Sequence, residues 1–236
     1  MRLVAMSSVE RVRICASVET ISPWLLDKIL QRLIAREVDL AEIKVPITGK
    51  NVEDFERLVR KYAPKVIVKP LLNERQGFST LKKIIEFRPF YVEMEYKNIA
   101  KYPEIVDQIL TNNVFLMASI DYNDSPTSNK IIHDVMQALN QSDVVKVTFP
   151  AESYEDNLKV FEVYDALHDD KQRLIIVAKG EKGYISQLLL PTFGAPFTIS
   201  SIDENSSKDY VHYKLVQIFY KMMHSIGLQE RSSRIL

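Results

Sequence analysis

Eight short runs of β-branched or apolar residues alternate one for one with eight stretches of helical period along 236 residues, and that pattern predicts an α/β chain folded as a single (β/α)8, or TIM, barrel. Strict alternation implies parallel strands joined by right-handed crossovers. The length is close to the roughly 250 residues typical of one such barrel, and eight units of about 28 residues close naturally into it. The alternative, a doubly wound open sheet, lacks its usual GxGxxG after the first strand: the chain there reads Glu19-Thr20-Ile21-Ser22-Pro23, with no glycine. No repeat, low-complexity tract or linker interrupts the pattern, so one domain is expected over 1–236, with the polar tail 229–236 fraying.

The elements follow in order. Val12–Val18 is an apolar first strand. Pro23–Arg36 is the first helix, with Ser22 at the N-cap and proline at the first helical position. Leu40–Val45 is the second strand, and Val52–Tyr62 the second helix, preceded by Asn51 and carrying Glu53 and Asp54 in its first turn. Strand Val66–Pro70 precedes helix Phe78–Phe87, strand Phe90–Glu95 precedes Tyr102–Thr111, and strand Val114–Ile120 precedes Thr127–Asn140. Each helix repeats apolar residues at i, i+3 and i+4. Strand Val144–Phe149 leads to Tyr154–His168, whose start is marked by Ser153 ahead of Tyr154-Glu155-Asp156. Leu174–Ala178 leads to Tyr184–Leu190, and Phe197–Ile202 to the closing helix Lys208–Ile226.

Composition excludes more than it assigns. With 31 basic and 31 acidic side chains, no basic surface points to nucleic acid or to a membrane face. Cys15 is the only cysteine, so neither an intrachain disulfide nor a multi-cysteine metal site can form, and its apolar run points to burial. No segment reaches the 18 or more apolar residues of a membrane span, and the start lacks a signal-peptide h-region. A cytoplasmic protein is expected. Barrels of this size often pair, which makes a homodimer a reasonable expectation.

In this fold the reacting groups sit where strands end and βα loops begin. That filter selects Glu42, Lys44, Lys69, Glu93, Glu95, Ser119, Asp121, Lys146, Lys179 and Ser200 or Ser201. Lys146 is the most informative. It lies inside Asp143-Val-Val-Lys-Val-Thr-Phe149, with apolar residues on both sides, so the strand should bury it. Burial and nearby positive charge lower a lysine pKa, and the free amine then attacks a carbonyl to form an imine. The alternative is a structural salt bridge to Glu42, Glu93 or Glu95.

Ser142-Asp-Val-Val-Lys-Val-Thr148 resembles the Ala-Asp-Ile-Val-Lys-Ile-Ala strand of type I 3-dehydroquinate dehydratases, whose lysine forms the imine with substrate. The resemblance continues in order along the chain. Arg13-Ile-Cys-Ala-Ser-Val18 is similar to that family's first strand, Ala41-Glu-Ile-Lys44 to its Glu-x-Arg motif, and Phe90-Tyr-Val-Glu-Met-Glu95 to its Tyr-Ile-Asp-Ile-Glu strand. Gly180-Glu-Lys-Gly-Tyr-Ile-Ser186 and Phe193-Gly-Ala-Pro-Phe-Thr198 look like its Met-Gly-x-x-Gly-x-x-Ser-Arg and Phe-Gly-Ser-x-x-Thr-Phe pair. The resemblance implies a Schiff-base hydro-lyase of the shikimate pathway, converting 3-dehydroquinate, a small keto acid, to 3-dehydroshikimate. It implies no metal and no organic cofactor.

Site positions depart from the family pattern. The proton-relaying histidine of Ser-Tyr-His-Asp-Phe is replaced within Ala118-Ser-Ile-Asp-Tyr-Asn-Asp-Ser-Pro126 by Asp121 or Asn123, according to register. Asp121 could serve as a base if its pKa is raised; Asn123 could only hydrogen-bond or position water. His133, His168, His212 and His224 fall in predicted helices or at a helix end, away from the site. Lys44 and Gln187 stand at two substrate-clamping arginine positions, and Lys69 or Arg75 supplies charge after the third strand. The family's Ser-x-Pro-Gly-Gln lines up with Ser206-Ser-Lys-Asp-Tyr210, which keeps Ser206 and puts Tyr210 in place of glutamine. Glu42 and Glu93 take the positions of acidic residues beneath the catalytic pair. The expected catalytic set is therefore Lys146 with Asp121 or Asn123, and the substrate-binding set Glu42, Lys44, Lys69, Glu93, Gln187, Ser206 and Tyr210. Two other functions fit the same residues: an imine-forming lyase or aldolase for another small keto compound, and a non-catalytic barrel serving as a binding or partner subunit.

Overall fold

The computed structural model describes residues 12–19, 22–46, 48–49, 51–71, 78–202 and 208–225. Its elements run β1 (Ile14–Val18), α1 (Pro23–Ala35), β2 (Leu40–Pro46), α2 (Val52–Tyr62), β3 (Val66–Leu71), α3 (Phe78–Glu86), β4 (Tyr91–Glu95), α4 (Tyr96–Ile99), α5 (Pro103–Thr111) and β5 (Phe115–Asp121). They continue with α6 (Ser128–Leu139), β6 (Val144–Pro150), α7 (Asp156–Ala166), β7 (Leu174–Lys179), α8 (Tyr184–Leu189), β8 (Thr198–Ser200) and α9 (Tyr213–Ser225). The strands form one sheet in the order β7-β6-β5-β4-β3-β2-β1-β8, and every ladder is parallel. β8 returns to pair with β1, so the sheet curls into a nearly closed (β/α)8 barrel, the architecture expected from the alternation. Between β7 and β8 no ladder forms among the described residues.

Period-two alternation divides each strand between two environments. Most side chains facing helices are apolar: Val18, Ile43, Val45 and Val68 pack with Leu26, Leu30, Phe55 and Val59 of α1 and α2. The interior is layered. Cys15, Ile67, Tyr91, Met117, Ile175 and Phe197 belong to one buried apolar cluster, with the Tyr91 and Phe197 rings 6.1 Å apart. One strand step nearer the C-terminal ends the buried residues become polar, with Glu42, Glu93, Ser119 and Lys146, and Thr148 follows one step further on. No described helix is long and apolar enough to cross a membrane.

Local chemistry sets several boundaries apart from those read in the sequence. Ser22 caps α1 as expected, accepting from Leu25 N at 3.4 Å. Asn51 makes no side-chain cap bond to α2. α7 starts at Asp156 rather than Tyr154, because the Asp156 carboxylate accepts from Glu152 N at 2.7 Å and Ser153 N at 2.9 Å. Those bonds hold the preceding residues in a turn, and Ser153 is no cap. The four-residue α4 was not anticipated, and β8 is three residues where six were expected. α9 begins at Tyr213, not Lys208: Asp209 O and Val211 N are both held by Gln187, at 2.8 and 2.9 Å, and a helix cannot form through them.

Candidate active site

Three strands deliver the centre of the site. Lys146 on β6 points into the barrel and donates to Glu42 Oε2 of β2 and Glu93 Oε2 of β4, each at 2.6 Å. The three residues are only 2%, 6% and 1% exposed, so water contributes little to solvating these charges. Lys69 on β3 extends the chain of alternating charge: its Nζ lies 2.8 Å from Glu93 Oε1 and 3.6 Å from Asp121 Oδ2. Asp121 also accepts a hydrogen bond from Thr148 Oγ1. At the rim Lys44 pairs with Glu19 at 2.8 Å, and Glu95 pairs with Lys97 at 2.8 Å rather than with Lys146.

These contacts reverse the expected state of the nucleophile. Burial alone would lower the Lys146 pKa, but the charges of Glu42 and Glu93 outweigh it and raise it well above the ordinary lysine value. The resting residue is an ammonium in a buried ion pair, the structural alternative foreseen from sequence, and its amine is not pre-formed. Burial and the charge of Glu93 raise the pKa of Glu42. Burial also acts upward on Glu93, yet Lys146 and Lys69 prevail and hold it down, to about 2. The two carboxylates are thus unlike: Glu93 stays ionised, while Glu42, 2.6 Å from the ammonium, is the more easily protonated of the two. Moving the ammonium proton to it converts an ion pair to a neutral pair without changing the net charge.

The two strand 5 candidates take different places. Asp121 ends β5, opposite Thr148 of β6, and Asn123 lies beyond the strand; both are exposed, but Asp121 carries the contacts to Thr148 and Lys69. Burial raises the Asp121 pKa, but Thr148's hydroxyl and the charges of Lys69 and Lys146 outweigh that and leave it lowered. The raised pKa expected of a base in this position is therefore not found; Asp121 is an ionised, weakly basic carboxylate.

Gln187 requires a correction. At 1% exposure its Nε2 donates to Ala178 O at 2.6 Å and Asp209 O at 2.8 Å, and its Oε1 accepts from Val211 N at 2.9 Å. The amide is committed to backbone, leaving no donor for a substrate carboxylate. Tyr210, half-buried on the segment that Gln187 holds, feels the charges of Lys146, Glu42, Glu93 and Asp121, and burial raises its pKa. Ser206 and Arg75 lie outside the described residues.

Thr148 and Glu19 were missed in the sequence. Thr148 was signalled by its spacing, since two residues past Lys146 on a strand means the same face. Ser119 lies in register with Lys146, and its buried Oγ has no hydrogen-bond partner among the described residues. His133 and His168 are surface residues beside Asp134 and Asp169, and His212 Nε2 contacts Ile202 O at 3.0 Å. Among the described residues no group of three or more His, Cys, Asp or Glu side chains is arranged to hold a metal ion. A cavity of about 610 Å³ lies at the opposite end of β1, lined by Ile14, Arg36, Tyr213 and Tyr220 among others. It contains none of the charged cluster, so side-chain chemistry, not concavity, marks the site.

Known proteins share this architecture and sequence pattern. The chain is 25% identical over 149 residues to a 3-dehydroquinate dehydratase of Dehalococcoides mccartyi, covering 62% of this chain and 65% of that protein. It is 28% identical over 138 residues to the 3-dehydroquinate dehydratase of Methanocaldococcus jannaschii, covering 57% and 61%. The matched segment thus spans somewhat under two thirds of these relatives. The crystal structure of 3-dehydroquinate dehydratase from Geobacillus kaustophilus superposes with a TM-score of 0.78 at 18% identity, covering 92% of each chain, and shows the same fold. Residues 14–226 match the family model for type I 3-dehydroquinase, and the chain belongs to that family.

Proposed function

We propose that the protein is a 3-dehydroquinate dehydratase, a Schiff-base hydro-lyase that eliminates water from 3-dehydroquinate to give 3-dehydroshikimate, acting in the cytoplasm as a homodimer. The observation that carries this reading is Lys146, buried inside the barrel between Glu42 and Glu93. Glu42 takes the ammonium proton, and the free amine adds to the substrate ketone. Glu42 returns the proton as the carbinolamine loses water, leaving an iminium. That cation withdraws electrons, so the adjacent C–H becomes acidic. Asp121 accepts its proton and the C–H electron pair neutralises the iminium to an enamine; the enamine then expels the hydroxyl, which takes the proton back from Asp121 and leaves as water, so that the new C=C forms and the iminium returns. Water then adds to the iminium and releases the product and Lys146. Lys69 is placed to balance charge on Asp121 and Glu93 throughout.

The decisive assay follows enone absorbance with 3-dehydroquinate. Product should appear with the unaltered chain, and Lys146→Ala should abolish it along with the borohydride-trapped adduct on the Lys146 peptide. No product at high protein concentration, with Lys146→Ala indistinguishable, would end this reading.

A second reading is favoured by the clamp residues: Lys44 is paired with Glu19, Lys69 with Glu93, and Gln187 is committed to backbone. A site so equipped suits a small keto compound without the carboxylate and hydroxyl pattern of 3-dehydroquinate. Borohydride trapping across a ketone panel separates the two, because the second reading requires an adduct with another ketone and none with 3-dehydroquinate.

A further inference from the structure

Gln187 occupies a position where four hydrogen bonds converge on one residue. Besides the three made by its amide, its main-chain oxygen accepts from Thr198 Oγ1 of β8 at 2.8 Å. It therefore ties β7, through Ala178 O, to β8, through Thr198, across the seam that lacks a strand ladder. The same amide holds the residues on both sides of Tyr210, through Asp209 O and Val211 N. Gly180 N donates to Asp209 O as well, at 3.0 Å, and Ser201 N to Val211 O at 3.0 Å. Tyr210 thus sits on a short segment fixed on either side, with its ring packed against the buried apolar cluster. Its phenol is an uncharged donor, as is the Ser119 hydroxyl beside Lys146, whereas the ionised groups here are already engaged with one another, as Lys146 with Glu42 and Glu93 and Lys69 with Glu93.

We propose that Gln187 is a positioning residue which, by stapling the β7 to β8 seam to residues 209–211, fixes the Tyr210 phenol over the lysine and carboxylate cluster, where it donates a hydrogen bond to the oxygen of the carbonyl compound that Lys146 takes as an imine. The inference rests on the imine reading above. As the Lys146 nitrogen adds to the carbonyl carbon, the C=O π pair moves onto oxygen, and the phenol O–H stabilises that oxygen until it leaves as water with the proton returned by Glu42. Tyr210 keeps its own proton, as burial favours.

The test compares Tyr210→Phe, Gln187→Ala and the double variant. The readouts are the rate of borohydride trapping at Lys146 with 3-dehydroquinate and with glyoxylate, kcat and KM for dehydration, and thermal melting. Tyr210→Phe should slow trapping and kcat by about 10²-fold, the scale of one oriented donor, with little change in melting temperature. Gln187→Ala should slow trapping comparably and also lower the melting temperature. The double variant should be no slower than Tyr210→Phe alone, since both act through one phenol. Equal slowing by Gln187→Ala with and without Tyr210 overturns the proposal, as does a Tyr210→Phe variant that traps at the unaltered rate. If Gln187→Ala fails to fold, Gln187→Glu, which keeps the acceptor for Val211 and loses both donations, takes its place with the same expectations. If the unaltered chain forms no adduct with either carbonyl, the imine reading falls and this inference with it; normal adduct formation in every variant removes the inference alone.

Discussion

At Lys146 two opposing effects act on one proton, and their balance sets the resting state. Burial disfavours the ammonium, while two carboxylates at 2.6 Å favour it; the pair wins because both are themselves buried and poorly screened by water. The acid dependence of stability follows with its sign. Glu93 has a folded pKa of about 2 against an ordinary 4.5, so its stabilisation is present above the unfolded value and is lost as pH falls from there through the folded one. Glu42 runs the other way: its raised folded pKa means that ionisation above the unfolded value costs stability. Glu93→Gln should therefore lose stability at pH 7 by about 3–5 kcal/mol, the usual cost of breaking one side of a buried pair. That deficit relative to the unaltered chain should shrink between pH 4.5 and about pH 2, as read by urea denaturation at each pH. A deficit independent of pH would show that Glu93 is not held as a carboxylate. Lys146 itself was legible because an apolar strand offers few reasons for a lysine; its partners were legible only as a short menu. Whether Glu42, Glu93 or Glu95 faced it depended on alternation and strand stagger, which placed Glu95 with Lys97 instead.

At the scale of elements, helix starts show how far a local signal carries. Ser22 and Asn51 are both favoured N-cap residues, yet only Ser22 makes the cap bond. Ser22→Ala should cost about 0.5–1 kcal/mol, whereas Asn51→Ala should stay within about 0.5 kcal/mol of the unaltered chain; chemical denaturation of both variants checks the contrast. Equal losses would mean that residue type, not the observed bond, governs these two ends. The start of α7 was misplaced for a related reason. Ser153 was taken to mark the start, but it is Asp156 whose carboxylate accepts from Ser125 at 2.8 Å and from the preceding N–H groups and so sets the turn. Strand cores were read correctly because burial on both faces leaves a continuous apolar run, and the errors gather at ends, where side-chain hydrogen bonds decide.

For the whole molecule the critical feature is closure. Among the described residues seven ladders hold the barrel, and the β7 to β8 seam depends on α8. Gly183 allows α8 to seat there: a Cβ on it would lie 2.1 Å from Ala178 O, the same carbonyl that Gln187 binds one turn later. Gly183→Ala should push α8 off β7, break that bond and destabilise the barrel by about 1–3 kcal/mol, lowering the melting temperature and loosening the segment that carries Tyr210. Faster amide hydrogen exchange confined to α8 and residues 208–212 is the expected signature; an unchanged pattern would show that the seam does not rely on this contact. The sequence by itself determined the barrel and the burial of Lys146, because the periods of two and 3.6 and the cost of a lone buried charge are properties of neighbouring residues. Tertiary structure alone decided the protonation of Lys146, the contacts that Asp121 makes with Lys69 and Thr148, and the commitment of the Gln187 amide to backbone. Each depends on which groups distant in the chain arrive within hydrogen-bonding reach, and Lys146 meets Glu42 across 104 residues.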